Sequence, residues 1–297
     1  MYIRSKLFQI QLAVQLALIA VFYFVPVPPL AQSILCGVLL CIVGIPHGSN
    51  DYLYRDDPSA FGMLKFLAVY LGVIGLYILL WWFAPILAFV LFFLISFHHF
   101  GQSNFENESV RYLPSWLWGI WLIIVPVIFH WQEAFTIFNQ MLSIHTNLTI
   151  SSSDHSKDVN QLGIISLIFL GSIYLVSLFL FERKNILYYT IQFVVVTLWY
   201  WFTPLLTGFI IVFCLWHSLQ SVRHQTIFFQ QNFGGDMFQF LKKMLPFSAI
   251  ALVAFGLYVY MRGFQISEAF ILLSLNTLPH VLVMHRLYHQ PNHRQST

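Results

Sequence analysis

The stretch PILAFVLFFLISFHHFG, residues 85–101, contains no Asp, Glu, Lys or Arg and closes on two adjacent histidines. A helix needs about 20 predominantly apolar residues to cross the hydrocarbon core of a bilayer. Backbone polar groups in lipid must be satisfied within the segment itself, so the stretch reads as a spanning α-helix. The same texture recurs along the chain. Apolar runs at 7–25, 30–47, 62–83, 85–101, 115–130, 162–181, 186–203, 204–225, 245–261 and 266–286 predict an all-α polytopic membrane protein, a bundle of about ten transmembrane helices. Pro26, Pro28 and Pro29, then Ala84-Pro85 and Thr203-Pro204, mark tight turns, because proline is tolerated in the first turn of a helix. The long polar stretch lies at 145–160, with Ser151, Ser152, Ser153, Asp154 and Lys157.

Composition agrees. The 297 residues are 59% hydrophobic, 18% aromatic and 8% charged, whereas a soluble globular chain is about 25% charged. This excludes a water-soluble enzyme and predicts a single transmembrane domain over 1–297. No small-residue cleavage site follows the first apolar run, so no cleaved signal peptide is expected. A net charge of +3 argues against a nucleic-acid partner. Cys36, Cys41 and Cys214 lie in apolar runs without CxxC spacing, which predicts neither a disulfide framework nor a thiolate metal site.

Ten spans place both termini on one side. With the termini cytoplasmic, Arg4, Lys6, Arg55, Lys65, Arg111, Arg183, Lys184, Arg223, Lys242, Lys243, Arg286 and Arg294 face inward, and only Lys157 and Arg262 face outward. That bias follows the positive-inside rule and predicts a multi-pass protein of the cell's inner (plasma) membrane, surrounded by lipid.

Ionisable side chains at membrane depth are costly and therefore functional candidates. His47 ends the second predicted helix, His98 and His99 the fourth; His217 and His224 lie on the eighth and His280 on the tenth, with His285 after it. All fall on even-numbered helices toward the inner face, so helices 2, 4, 8 and 10 can supply one site. Imidazole suits iron, zinc and copper, and an all-histidine set without thiolates fits an iron or zinc centre with open positions. At most one of His98 and His99 can point at it, since neighbouring helical residues project about 100° apart. His217 and His224 are separated by about 10.5 Å of helix rise and reach one ion only with extended side chains or a distorted helix. His280 follows Pro279 and is a ligand, a support for a ligand, or a packing residue. Asp51, four residues past His47, is placed to orient a ligand imidazole or to pair with Arg55. Gln102, Ser103 and Asn104 either hydrogen-bond to the site or cap the helix end, and Gly44, Gly48 and Gly101 allow close helix approach. His130, His145, His155, His289 and His293 read as interfacial or loop residues. The 31 phenylalanines, 14 tyrosines and 9 tryptophans suit an apolar tunnel, a bundle core or an interfacial belt alike.

Through Gly44-x-Pro46-His47-Gly48-x-x-Asp51, His99-Phe100-Gly101, His217-Ser218 with Arg223-His224, and Leu278-Pro279-His280, the chain resembles the Brp/Blh family of membrane-bound β-carotene 15,15′-dioxygenases, from about residue 40 to 290. The resemblance implies an iron-dependent enzyme that cleaves the central double bond of β-carotene with O2, giving two retinal molecules. It implies Fe(2+) held by His47, His99, His217 and His224, with Asp51, His98 and His280 as supporting candidates, and a functional link to a retinal-binding rhodopsin. His99 is preferred to His98 because it directly precedes Phe100-Gly101. The chain departs from the family pattern at Ser221, where a histidine one turn past His217 belongs, and at Asn104, where the family often carries an acidic residue. Competing readings are a di-iron desaturase or hydroxylase, a b-type cytochrome, and a non-enzymatic carrier of carotenoid or retinal. HxxHH clusters are absent and HxxxH occurs only in the C-terminal tail, at His285/His289 and His289/His293, which speaks against the di-iron reading.

Overall fold

The computed structural model describes residues 5–55, 57–105, 112–143 and 156–289, with the side chains of 156–160 and 286–289 left aside. Arg4, Arg111, His145, His155, Asp154, His293 and Arg294, and the side chains of Lys157, Arg286 and His289, thus lie outside the described residues.

The described chain is helical. The elements are α1 (Lys6–Phe24), α2 (Pro29–Leu39), α3 (Ala60–Phe83), α4 (Pro85–Phe105), α5 (Leu113–Phe129), α6 (Trp131–Ser143), α7 (Ser156–Phe181), α8 (Ile186–Phe202), α9 (Leu205–Val212), α10 (Leu219–Phe233), α11 (Met237–Arg262) and α12 (Ile266–His289). Two π-helical segments interrupt this pattern, at Leu40–Gly44 after α2 and at Phe213–Ser218 between α9 and α10, and short 3₁₀ turns follow at Pro46–Gly48 and Asp51–Tyr54.

Among the described residues eight helices are long and apolar enough to cross a membrane, and a ninth span is possible if α5 and α6 count as one broken segment. The remaining apolar helix, Ile186–Phe202, has 17 residues. The outer helices present apolar side chains outward: α3 and α11 bury little of their length, and Phe83 and Tyr260 are 78% and 88% exposed. A helix apolar all round fits lipid on one side and protein on the other.

The ends of the helices follow their sequence. Ser59 accepts from the Gly62 amide at 3.0 Å at the start of α3, and Asp236 accepts from the Gln239 amide at 2.7 Å at the start of α11. Gly234, at φ 67°, closes α10 in the left-handed conformation.

Three boundaries differ from expectation. The eighth apolar run continues as helix to Phe233 and α11 starts at Met237, because lipid-length counting stops at the polar residues while helix formation does not. The fifth run bends by 106° into α6, which lies outside the predicted spans. That helix is amphipathic, with Ala134, Ile137 and Met141 buried at three- and four-residue spacing, and is too polar to register as a span. The second helix leaves α-geometry at Leu40, well short of His47.

The α4–α5 pair is packed backbone to backbone. A Cβ on Gly101 would lie 1.8 Å from the Ser115 carbonyl oxygen, and one on Gly119 would lie 1.7 Å from that of Phe97. Small residues at a helix crossing are how membrane helices gain packing without a hydrophobic driving force. This contact fixes the C-terminal end of α4, where His99 sits. Beside it Trp118, Trp199, Tyr174, Tyr189 and Tyr200 form the aromatic core between α5, α7 and α8.

Candidate metal centre

His47 reaches the interior through an irregular path. The π segment Leu40–Gly44 hands over to the Pro46–Gly48 turn, where Pro46 cannot donate a backbone hydrogen bond and the α-helix stops. The second π segment carries His217. Both lean on each other at Gly44: a Cβ there would come to 3.3 Å from Cys214 Sγ and from the Phe213 ring, and to 2.8 Å from the Leu40 side chain. Single π turns inside helices are rare and cluster at functional sites. His99 comes from α4 and His280 from α12, one residue after Pro279 inside that helix.

These four imidazoles form a closed ring. Centroids are 5.3 Å apart for His47–His217, 4.7 Å for His217–His99, 5.0 Å for His99–His280 and 5.2 Å for His280–His47. Each neighbour pair meets edge to face. The ligand atoms of His47, His99 and His217 all lie within 4.8 Å of one another, and all three residues are buried, so they are able to hold a metal ion. His280 is 3% exposed and packs against two of them.

The hydrogen bonds outside the ring decide which nitrogen faces inward. The His47 Nδ1 bonds to the Gly44 carbonyl, which can only accept, so Nδ1 carries the proton. His280 Nδ1 lies 2.8 Å from Asp51 Oδ1, and a carboxylate accepts likewise. Ser103 Oγ donates its one proton to the Phe100 carbonyl at 3.0 Å and lies 2.9 Å from His217 Nδ1. It must therefore accept from His217. In all three cases Nε2 keeps its lone pair free. His217 Nε2, His280 Nε2 and both ring nitrogens of His99 are buried without a partner among the described residues. Unpaired nitrogen lone pairs gathered at one point inside a membrane are costly unless a cation takes them. The donor set thus fits a nitrogen-ligated transition metal whose ligands are oriented by outer hydrogen bonds.

The other candidates fall elsewhere. His224 is half-buried on α10 and is not among the three histidines whose ligand atoms lie together. His98 turns toward Trp116, at 5.3 Å, and His285, at 6.3 Å. Asp51 serves His280 rather than the nearby His47, and it also accepts from the Tyr70 hydroxyl at 3.0 Å. Arg55, the alternative partner, donates instead to the Tyr52 and Pro58 carbonyls. Asn104 forms a two-way amide pair with Gln192, at 3.0 and 2.9 Å, and the buried Gln102 amide has no partner among the described residues. His130 lies 3.3 Å from the Tyr200 carbonyl, away from the ring.

Sequence reasoning passed over Tyr70, Gln225 and Gln11. Gln225, fully buried, donates to the His47 carbonyl at 3.0 Å and accepts from Asn50 at 2.9 Å. The signal for Gln11 was present: an uncharged amide in an apolar run is as anomalous as a histidine.

Phe100 and Phe213 wall the ring on one side, at 4.4 Å and 5.5 Å from His217. Beyond them is a small apolar cavity lined by His217, Phe209, Val212, Leu122 and Tyr200. Its one hydroxyl, that of Tyr200, is engaged with the Leu122 carbonyl at 2.8 Å.

A family model described as beta-carotene 15,15′-dioxygenase matches residues 38–288. A curated protein of that description from uncultured marine bacterium 66A03 is 27% identical over 272 residues, covering 83% of this chain and 90% of its own. No solved structure matches the chain.

Proposed function

We propose, from the premise that the chain belongs to the β-carotene 15,15′-dioxygenase family, that it cleaves the central double bond of β-carotene with O2 at an Fe(2+) ion held by His47, His99 and His217, with His280, whose ring packs on His47 and His99, as the fourth donor. The reaction balances without a further reductant: one carbon–carbon double bond and one dioxygen become two carbonyl groups, the two retinal molecules.

The observation that carries the reading is the ring of four imidazoles, three of which, His47, His217 and His280, are tied through Nδ1 to Gly44, Ser103 and Asp51. Bound Fe(2+) would supply the redox chemistry that a closed-shell polyene needs to react with dioxygen; zinc, lacking a redox change, would not. His280 replaces His224 as the fourth donor in this proposal. The four neutral imidazoles leave the ion's charge uncompensated within the ring. Asp51, behind His280, partly balances it at one remove and orients that ring. Phe100, Phe209 and Phe213 keep water from the reacting carbon atoms and offer an apolar surface for the polyene. Holding the bond at attack distance is most of what the protein must contribute. The substrate enters from the lipid of the cell's inner membrane, and the retinal produced is of the kind a rhodopsin consumes.

Expression in cells that accumulate β-carotene tests this directly. Loss of orange colour with formation of retinal is expected. Orange cells containing well-folded protein would refute the activity.

A further inference from the structure

Two of the four ring histidines are delivered by backbone that is not α-helical, and a buried glutamine from a different helix grips each. On α1, Gln11 is 1% exposed and donates from Nε2 to the Leu215 carbonyl at 2.5 Å, inside the π segment that carries His217. One turn on, Gln15 is fully buried and accepts from the Trp216 indole at 3.2 Å. On α10, Gln225 donates to the carbonyl of His47 itself at 3.0 Å. A π turn changes the hydrogen-bond register from four to five residues, so its carbonyls are less well served from within and need outside donors. Polar side chains are retained at membrane depth only where they do something. Gln11 and Gln15 also precede the stretch, residues 38–288, that the family model matches.

We propose that Gln11 and Gln225 are positioning residues, each holding through its side-chain amide the irregular segment that aims one ligand, His217 and His47 respectively. Gln15 assists Gln11 through Trp216. This rests on the reading of His47 and His217 as ligands. An α1 helix that packs chiefly on α8 thereby contributes to the geometry of a site it does not touch.

The test uses the purified full-length protein and Co(2+) as the metal probe, read by its absorption bands. Gln11→Met and Gln225→Met keep side-chain size and remove the donor. Each is expected to weaken Co(2+) binding about 10–100-fold, the usual effect of losing an outer-shell partner. Each should also shift the Co(2+) bands and lower kcat with KM for β-carotene unmoved. Gln32→Met is the comparator: it breaks bonds to Val27 and Thr207 at a helix pair remote from the ring and should lower the melting temperature alone. Should the methionine variants fail to fold, Gln11→Asn and Gln225→Asn, which retract the amide by one methylene, carry the same readouts. Parental Co(2+) affinity and spectrum in the Gln11 and Gln225 variants, with a melting loss like that of Gln32→Met, overturns the proposal. Failure of the parent to bind Co(2+), or binding untouched by His217→Ala, overturns the ligand reading and this inference with it.

Discussion

Asp51 and His280, 229 residues apart in the chain, meet at 2.8 Å through a carboxylate oxygen and the imidazole Nδ1. Each side chain is 4% exposed, and Tyr70 closes the other carboxylate oxygen. A buried carboxylate is expensive unless it is hydrogen-bonded and near positive charge. Here the bonds come from His280 and Tyr70, and the charge would come from the ion on the far side of the His280 imidazole. Asp51→Ala is therefore expected to lower metal affinity about 10–100-fold. Iron content after dialysis against graded Fe(2+) measures it; full retention would show that His280 needs no orienting partner.

His280→Ala is expected to remove both bound iron and retinal formation, whereas His224→Ala should keep most of each. The reason is placement: His280 lies 5.0 Å and 5.2 Å, ring to ring, from His99 and His47, while His224 is only half-buried on α10, seven residues past His217. Metal analysis of the two variants side by side decides between them. Iron lost in His224→Ala and kept in His280→Ala would restore the assignment that family resemblance first suggested.

The helical membrane class was legible from apolar runs such as 85–101, because lipid length is written directly in composition. Of the ring, His47, His99 and His217 were legible as histidines of even-numbered helices at one depth. His224 was read onto the face of His217 because an unbroken helix puts it there, and nothing in the residues announces the π segment at Phe213–Ser218 that carries His217. Asp51 was seen, but its partner was taken to be near in sequence, where the fold supplies one from α12. The bent α6 escaped because its polar face hides it from any count of apolar length.

Gly101→Val should be among the most damaging changes that touch no imidazole. Its Cβ would sit 1.8 Å from the Ser115 carbonyl oxygen, and backbone cannot step aside as a flexible side chain can. Overpacking a core costs about 1–3 kcal/mol even where side chains can adjust. Separation of α4 from α5 would also move His99. A lowered melting temperature with reduced iron content is expected; a protein of parental stability and activity would mean that the two helices are not held in contact.

Metal exchange separates the requirement for a bound ion from the requirement for a redox ion. Chelation by a ferrous-selective ligand should abolish retinal formation, and Fe(2+) should restore it. Zn(2+) should occupy the same imidazoles, since a ring of nitrogen donors suits it equally well. Having no accessible redox change, it should restore the melting temperature without restoring turnover. Ligand binding stabilises a fold by an amount set by concentration over Kd, so a melting shift reports occupancy independently of chemistry. Full turnover with Zn(2+) would mean that the ring serves the reaction as an electrostatic anchor alone. No melting shift with either ion would mean that the four imidazoles, despite their shared geometry, do not form a metal site.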